Sequence, residues 1–162
     1  MISLLNIFNK NIKEHLITVI DYPNQIVFES YYRIESGLWK QTDLLTIESK
    51  DISSERKKEL ILKHLELSKS VREKHYDFVK MSENYKKKTG LSSIRKQMSF
   101  SKLVEIYRKE NDISITPTRN GGTSGKNKGY EPIDEKKIEL KYEEDELVLL
   151  GSYLDESLSN CE

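Results

Sequence analysis

The run Gly121-Gly122-Thr123-Ser124-Gly125-Lys126 is the first place where residue types and spacing suggest chemistry. Glycines followed by a lysine can wrap phosphate oxygens with backbone N–H groups. The phosphate loop needs four residues between its first glycine and the Gly-Lys pair, and then Ser or Thr. Here three residues separate Gly121 from Gly125, two separate Gly122 from it, and Asn127 follows the lysine. Pro132 and a strand pattern come next, not the helix whose amino end would hold an anion. The run is therefore expected to be a loop, with no nucleotide cofactor.

His15, His64 and His75 stand in separate contexts, and none shows the paired helical spacing of zinc ligands. Neither a metal nor a cofactor is expected. His64 falls on an apolar helical stripe and is expected as a partly buried imidazole. Cys161 has no neighbours that would lower a thiol pKa. As the only cysteine it forms no internal disulfide, which suits a reducing compartment. No serine sits in a nucleophile elbow. No catalytic residue is nominated, and the chain is expected not to be an enzyme.

Charge is the remaining signal. The 162 residues carry 27 basic and 27 acidic groups, so the formal charge is zero. The distribution is uneven. Residues 1–55 carry a net −3, residues 56–130 a net +11 and residues 131–162 a net −8. Within the basic block, Lys86, Lys87, Lys88, Arg95, Lys96 and Lys102 are interleaved with Tyr85 and Phe100. Such a pattern can contact phosphates and stack on bases. The zero net charge argues against a dedicated nucleic-acid binder, so a small nucleic-acid-binding protein using region 80–109 stands as the alternative.

The elements that must position these groups follow from hydrophobic periodicity. Ile26–Ile34 is rich in β-branched and aromatic residues and reads as a strand that turns at Gly37, before Leu38 and Trp39. Leu44–Ile47 reads as a further strand or as the approach to a helix. Ser53 or Ser54 caps a helix whose stripe is Leu60, Ile61, His64, Leu65, Leu67 and Val71. In a second helix Phe78, Met81, Ser82 and Tyr85 share a face, and Gly90 is placed as its left-handed cap. Ser92 or Ser93 opens a short third helix through Met98. Residues 102–117 alternate with period two around Lys109-Glu110-Asn111 and read as a β-hairpin. Asn120–Gly129 reads as a loop, Ile138, Leu140 and Tyr142 as a strand. A final helix opens on Glu143–Glu146 and carries the stripe Leu147, Leu150, Gly151, Leu154, Leu158, Cys161, with Gly151 expected to allow close contact with the sheet. The fold class expected is α+β: a small, mainly antiparallel sheet with helices packed on one side and a C-terminal helix, in a single domain over 1–162. Leu16–Ile20 is too short for a signal core or a membrane span, so a cytoplasmic protein without membrane contact is expected.

The order of these pieces resembles a known family. Its marks here are Glu55-Arg56-Lys57-Lys58-Glu59-Leu60-Ile61-Leu62 running into Leu67-Ser68-Lys69-Ser70, then Gly90 before Ser93-Ile94-Arg95-Lys96. Ile113-Ser114-Ile115-Thr116-Pro117-Thr118 and Gly129-Tyr130-Glu131-Pro132-Ile133 follow, and the chain closes on Leu150-Gly151-Ser152-Tyr153-Leu154 and Leu158-Ser159-Asn160-Cys161. This ordered set, over residues 55–161, is similar to the immunity proteins of contact-dependent growth inhibition systems. The resemblance implies a non-enzymatic partner that binds and neutralises a cognate C-terminal toxin domain, often a nuclease. It supplies no fixed binding residues. A nuclease presents a basic cleft, so the acidic block Glu131, Asp134, Glu135, Glu139, Glu143, Glu144, Asp145 and Glu146 is the candidate partner-binding surface. Tyr130 and Trp39 are candidate aromatic anchors.

Overall fold

The computed structural model describes residues 13–70 and 77–162. Val71 and His75 lie outside the described residues. Among the described residues eight strands form the sheet: β1 Glu14–Asp21, β2 Ile26–Arg33, β3 Trp39–Glu48, β4 Lys69–Ser70, β5 Lys102–Lys109, β6 Asp112–Asn120, β7 Tyr130–Pro132 and β8 Ile138–Lys141. Their order is β3-β2-β1-β5-β6-β7, with β8 also paired to β6 and the short β4 parallel to β2. Every other pairing is antiparallel. Leu16–Ile20 belongs to β1, in the middle of this order. Ile17, Thr18, Val19 and Ile20 are all buried, because both faces of the strand are covered. Such a strand shows no alternation, only a short apolar run. Leu44–Ile47 is the second half of β3, and the 102–109 strand pairs with β6 as a hairpin turned at Glu110 and Asn111.

Among the described residues five helices accompany the sheet: α1 Ser54–Leu67, α2 Phe78–Thr89, α3 Ile94–Met98, α4 Glu144–Leu147 and α5 Leu150–Asn160. Ser53 caps α1, its side chain accepting from the Arg56 N–H at 3.1 Å. Leu60, Ile61 and Leu65 of α1 and Leu150 and Leu154 of α5 bury against Ile17, Val19, Phe28, Val104, Ile106, Ile113 and Ile115 on one face of the sheet. The α+β class, the mainly antiparallel sheet and the C-terminal helix match the sequence expectation. α2 adds a layer on the opposite face. There Tyr85 joins Ile20, Tyr22, Val27 and Leu103, and its hydroxyl lies 2.6 Å from that of Tyr22. Gly90 ends α2 in the left-handed conformation, at φ 74°. Phe78, placed with Tyr85 on one helical face by spacing, is exposed instead, because only the carboxyl half of α2 reaches the sheet.

Three expectations about helices need correction. The final helix expected from Glu143 to Cys161 is two, α4 and α5, parted at Val148 and Leu149, and Cys161 follows α5 in extended conformation. The stripe of α1 stops at Leu67: Ser68 leaves the helix and wedges between β1 and β2, accepting from the Leu16 N–H at 2.9 Å and donating to the Tyr31 carbonyl at 2.8 Å. Gly151 makes its close approach to α1 and not to the sheet. A Cβ there would fall 2.0 Å from the Ser54 carbonyl oxygen. Lys57 and the Ser54 hydroxyl then both reach Asp155, at 2.5 and 3.1 Å.

Candidate partner-binding surface

β7 and β8 lie end to end along the outer side of β6, β7 against Thr118–Asn120 and β8 against Asp112–Ile115. A strand rises about 3.3 Å per residue, so this outer edge is on the order of 30 Å long. The nominated acids are strung along it. Glu131 is on β7, Asp134 and Glu135 are on the 3-10 turn Asp134–Lys136, Glu139 is on β8, and Glu143 to Glu146 stand at the start of α4. The ribbon is not uniformly negative. Arg119 lies 3.9 Å from Glu131 and Lys137 lies 3.1 Å from Glu139. Glu143 accepts from Asn111 at 3.3 Å, and Glu146 accepts from the Lys141 backbone N–H at 2.5 Å, tying α4 to β8. Among the described residues no ion-pair partner stands within 4.0 Å of Asp134, Glu135, Glu144 or Asp145, all of them exposed. The free negative charge therefore gathers at the 3-10 turn and at α4.

Beside the ribbon the sheet opens into a groove of about 600 Å³. Its floor follows from register. Tyr107, Ser114 and Glu139 form one cross-strand row, and Lys109, Asp112 and Lys141 form the next. These rows project on the face opposite α1 and α5, beyond the part that α2 covers. Glu139 and Glu146 reach this groove, whereas Tyr130 does not line it. Tyr130 is half-buried at the far end, 2.5 Å from the Ser101 hydroxyl and packed against the Leu103 cluster. Burial raises its phenol pKa, while the Ser101 bond opposes the rise.

Further along the same face, the Tyr107 hydroxyl donates to Glu14 at 2.5 Å, Arg33 pairs with Glu14, and the Arg33 guanidinium lies 6.0 Å from the Trp39 ring centroid. Trp39 meets Tyr107 edge to face at 6.4 Å between centroids. Arg, Trp and Tyr are the residues that dominate interface energetics. Sequence reasoning singled out only Trp39 of this group. What was missing was the register that sets β1 between Arg33 and Tyr107.

Two buried titratable groups flank the sheet. Glu29 of β2 is 1% exposed, with Thr18 Oγ1 donating to one carboxyl oxygen at 3.4 Å. Burial pushes its pKa up to about 8, against the opposing pull of hydrogen bonds from Gln41, Thr18 and Tyr31. On the other face Ser30 Oγ lies 2.7 Å from His64 Nδ1, and Thr46 Oγ1 lies 2.8 Å from Nε2. Burial lowers the His64 pKa to about 4. A serine beside a neutral imidazole is the opening of a nucleophilic mechanism, yet both residues are sealed, Ser30 at 0% and His64 at 1% exposure. Among the described residues no group of three or more His, Cys, Asp or Glu side chains is placed to hold a metal ion. None of the described helices is long and apolar enough to cross a membrane.

The described residues thus form a mainly antiparallel sheet sandwiched unevenly between an α1–α5 layer and a smaller α2 layer, and among them one stretch of sheet is left uncovered. That fold is shared with solved structures. A chain of the CdiA-CT/CdiI toxin and immunity complex from Yersinia pseudotuberculosis superposes with a TM-score of 0.71 at 17% identity, over 92% of this chain and 98% of that one. A protein of unknown function from Neisseria meningitidis gives a TM-score of 0.74 at 16% identity, over 92% and 96%. At such identities the likeness is one of fold. No family model and no curated protein matches the sequence.

Proposed function

We propose that this chain is an immunity protein: a single-domain, cytoplasmic, non-enzymatic inhibitor that binds the toxin domain of a contact-dependent growth inhibition system. One observation carries the reading. The fold agrees over 92% of the chain with a chain of a toxin and immunity complex, and the ordered motifs of residues 55–161 point to the same family independently. The toxin is a nuclease with a basic cleft, and the acidic ribbon along β7, β8 and α4 docks against it. Long-range attraction between such surfaces speeds encounter more than it slows release. The groove beside the ribbon, with Tyr107 at its floor, receives the part of the toxin that the charges steer in.

Co-expression tests the function. A toxin domain is expected to be encoded immediately upstream; it should arrest growth alone and be harmless beside this protein, and the purified pair should co-elute. Loss of growth arrest without any complex would overturn the reading. Reversal of Glu135, Glu144 and Asp145 to Lys tests the surface, because these three carry no ion pair among the described residues. The variant should associate at least tenfold more slowly at low salt and melt slightly lower, because Glu144 and Asp145 complement the first turn of α4 at about 0.3–1 kcal/mol each. Wild-type association in a folded variant would move the interface elsewhere.

A further inference from the structure

The basic stretch is not absorbed by this function, and it holds one of the two non-glycine residues with positive φ among those described, the other being Glu110 in the β5–β6 turn. Phe100 has φ 55°, a left-handed conformation that bulky side chains avoid, and its ring is 90% exposed. The loop is held there deliberately. Asn120 Nδ2 donates to the Met98 carbonyl at 2.7 Å and to the Ser101 carbonyl at 2.8 Å, and the Ser101 hydroxyl is bonded to Tyr130. The residues on either side are clamped and the ring is driven outward. Strain that its surroundings over-determine is found where a side chain is presented for use.

The setting defines the ligand. Residues 84–104 contain Lys86, Lys87, Lys88, Arg95, Lys96 and Lys102 and no acid. None of the six has an ion-pair partner within 4.0 Å among the described residues. Lys86, Lys87 and Lys88 sit in the last turn of α2, where they also oppose the negative pole of the helix. Phe100 and Lys96 border a groove of about 420 Å³ with Gln25, Gly90, Leu91 and Ser99, the size of a nucleotide rather than of a helix. A membrane would need a broad apolar face. Phe78 and Val79 stand at the far end of α2, roughly 15 Å along its axis, and leave Ile94 and Phe100 as the exposed apolar pair of this corner.

We propose that the α2–α3 corner binds single-stranded nucleic acid, with a base stacked on Phe100 and phosphates held by Lys87, Arg95 and Lys96. The site adjoins the β7 end of the acidic ribbon, where Tyr130 bonds Ser101, and does not depend on the immunity reading. Neutral net charge does not oppose it, since backbone contacts depend on the local field within a Debye length.

The test is fluorescence anisotropy with a labelled uridine decanucleotide and the full chain at about 50 mM salt. Micromolar binding is expected, falling steeply as salt rises toward about 200 mM. Phe100→Gly removes the ring and relieves the backbone, so it should bind about tenfold more weakly while melting no lower than wild type. Phe100→Trp should bind at least as tightly as wild type. A Lys87→Glu, Arg95→Glu, Lys96→Glu variant should lose the salt dependence together with most of the affinity. The proposal is overturned by any of three results: no binding of the single strand at low salt, unchanged binding by Phe100→Gly, or tighter binding of duplex, polyglutamate or anionic vesicles than of the single strand.

Discussion

Replacing Glu29 by glutamine should make the protein more stable in mild alkali and remove most of its pH dependence there. Glu29 is sealed between β1 and β3 on the sheet face that α2 partly covers, and burial lifts its pKa from the ordinary 4.5 to about 8. A tenfold change in proton affinity is worth roughly 1.4 kcal/mol. The ionised native state is therefore on the order of 5 kcal/mol less favourable than it would be with an unperturbed carboxyl. The native protein holds the Glu29 proton between the two values and the unfolded chain does not, so stability declines as pH rises from 4.5 to 8 and levels off above. His64 acts in the opposite sense. Its pKa falls from 6.5 to about 4, so stability is lost as pH falls through that window, because the unfolded imidazole takes up a proton that the buried one refuses. The two slopes oppose each other between about 4.5 and 6.5, and Glu29 acts without that opposition above. Denaturant unfolding at half-unit steps should show wild-type stability falling by about 2 kcal/mol between pH 6.5 and 8. Glu105, whose pKa is also raised by burial, adds a decline of the same sign. Glu29→Gln should flatten the upper window and leave the acid limb, now that of His64, steeper than in wild type. A wild-type curve that is level from pH 6.5 to 8, or a Glu29→Gln curve with the wild-type slope, would refute the burial argument.

Gly151→Ala should cost about 3 kcal/mol, since the new methyl would meet the Ser54 backbone at 2.0 Å and backbone cannot step aside as a side chain can; an unchanged melting temperature would show that α1 and α5 slide freely. Asn120→Ala should cost about 2 kcal/mol by freeing the Met98 and Ser101 carbonyls, and should raise hydrogen exchange in the 98–101 loop. Leu154→Ala, a truncation in the centre of the α1–α5 layer, should cost about 2–5 kcal/mol by equilibrium unfolding without altering oligonucleotide anisotropy.

Local signals in the sequence read well. Ser53 caps α1 and Gly90 closes α2, both as their residue types dictate, and the 102–109 strand with its partner shows the alternation of a hairpin. His64 was legible as a partly buried imidazole, because its spacing sets it on the apolar stripe, but not as one that is sealed completely. Features requiring a second, distant segment were not legible. β1 gives no alternation because both of its faces are covered. Gly151 reads as a small residue on a helix, and nothing near it says that Ser54 is the neighbour. The candidate surface divides in the same way. Its acids are visible as a block, but the pairing of Glu131 with Arg119 exists only once β6 and β7 lie side by side, and the bond from the Lys141 N–H to Glu146 only once α4 turns back on the end of β8. The alternation of Ile26–Arg33 places Glu29 on a face but does not say that the face is closed over it.

The place of β1 has a consequence for how the molecule is made. Its pairing with β2 is local, but its other neighbour, β5, lies roughly eighty residues further along the chain, as in the pair Ile20 and Leu103. Closing a loop of that length costs chain entropy before any contact repays it. On a ribosome adding about 5–20 residues per second, the first meander waits several seconds with the β1 edge unpaired before β5 is synthesised. The side of β1 that becomes the middle of the sheet is, for that interval, an open strand edge at which another chain could add. Conditions that slow synthesis between α1 and β5 should therefore raise aggregation of the nascent protein without changing the stability of the finished one.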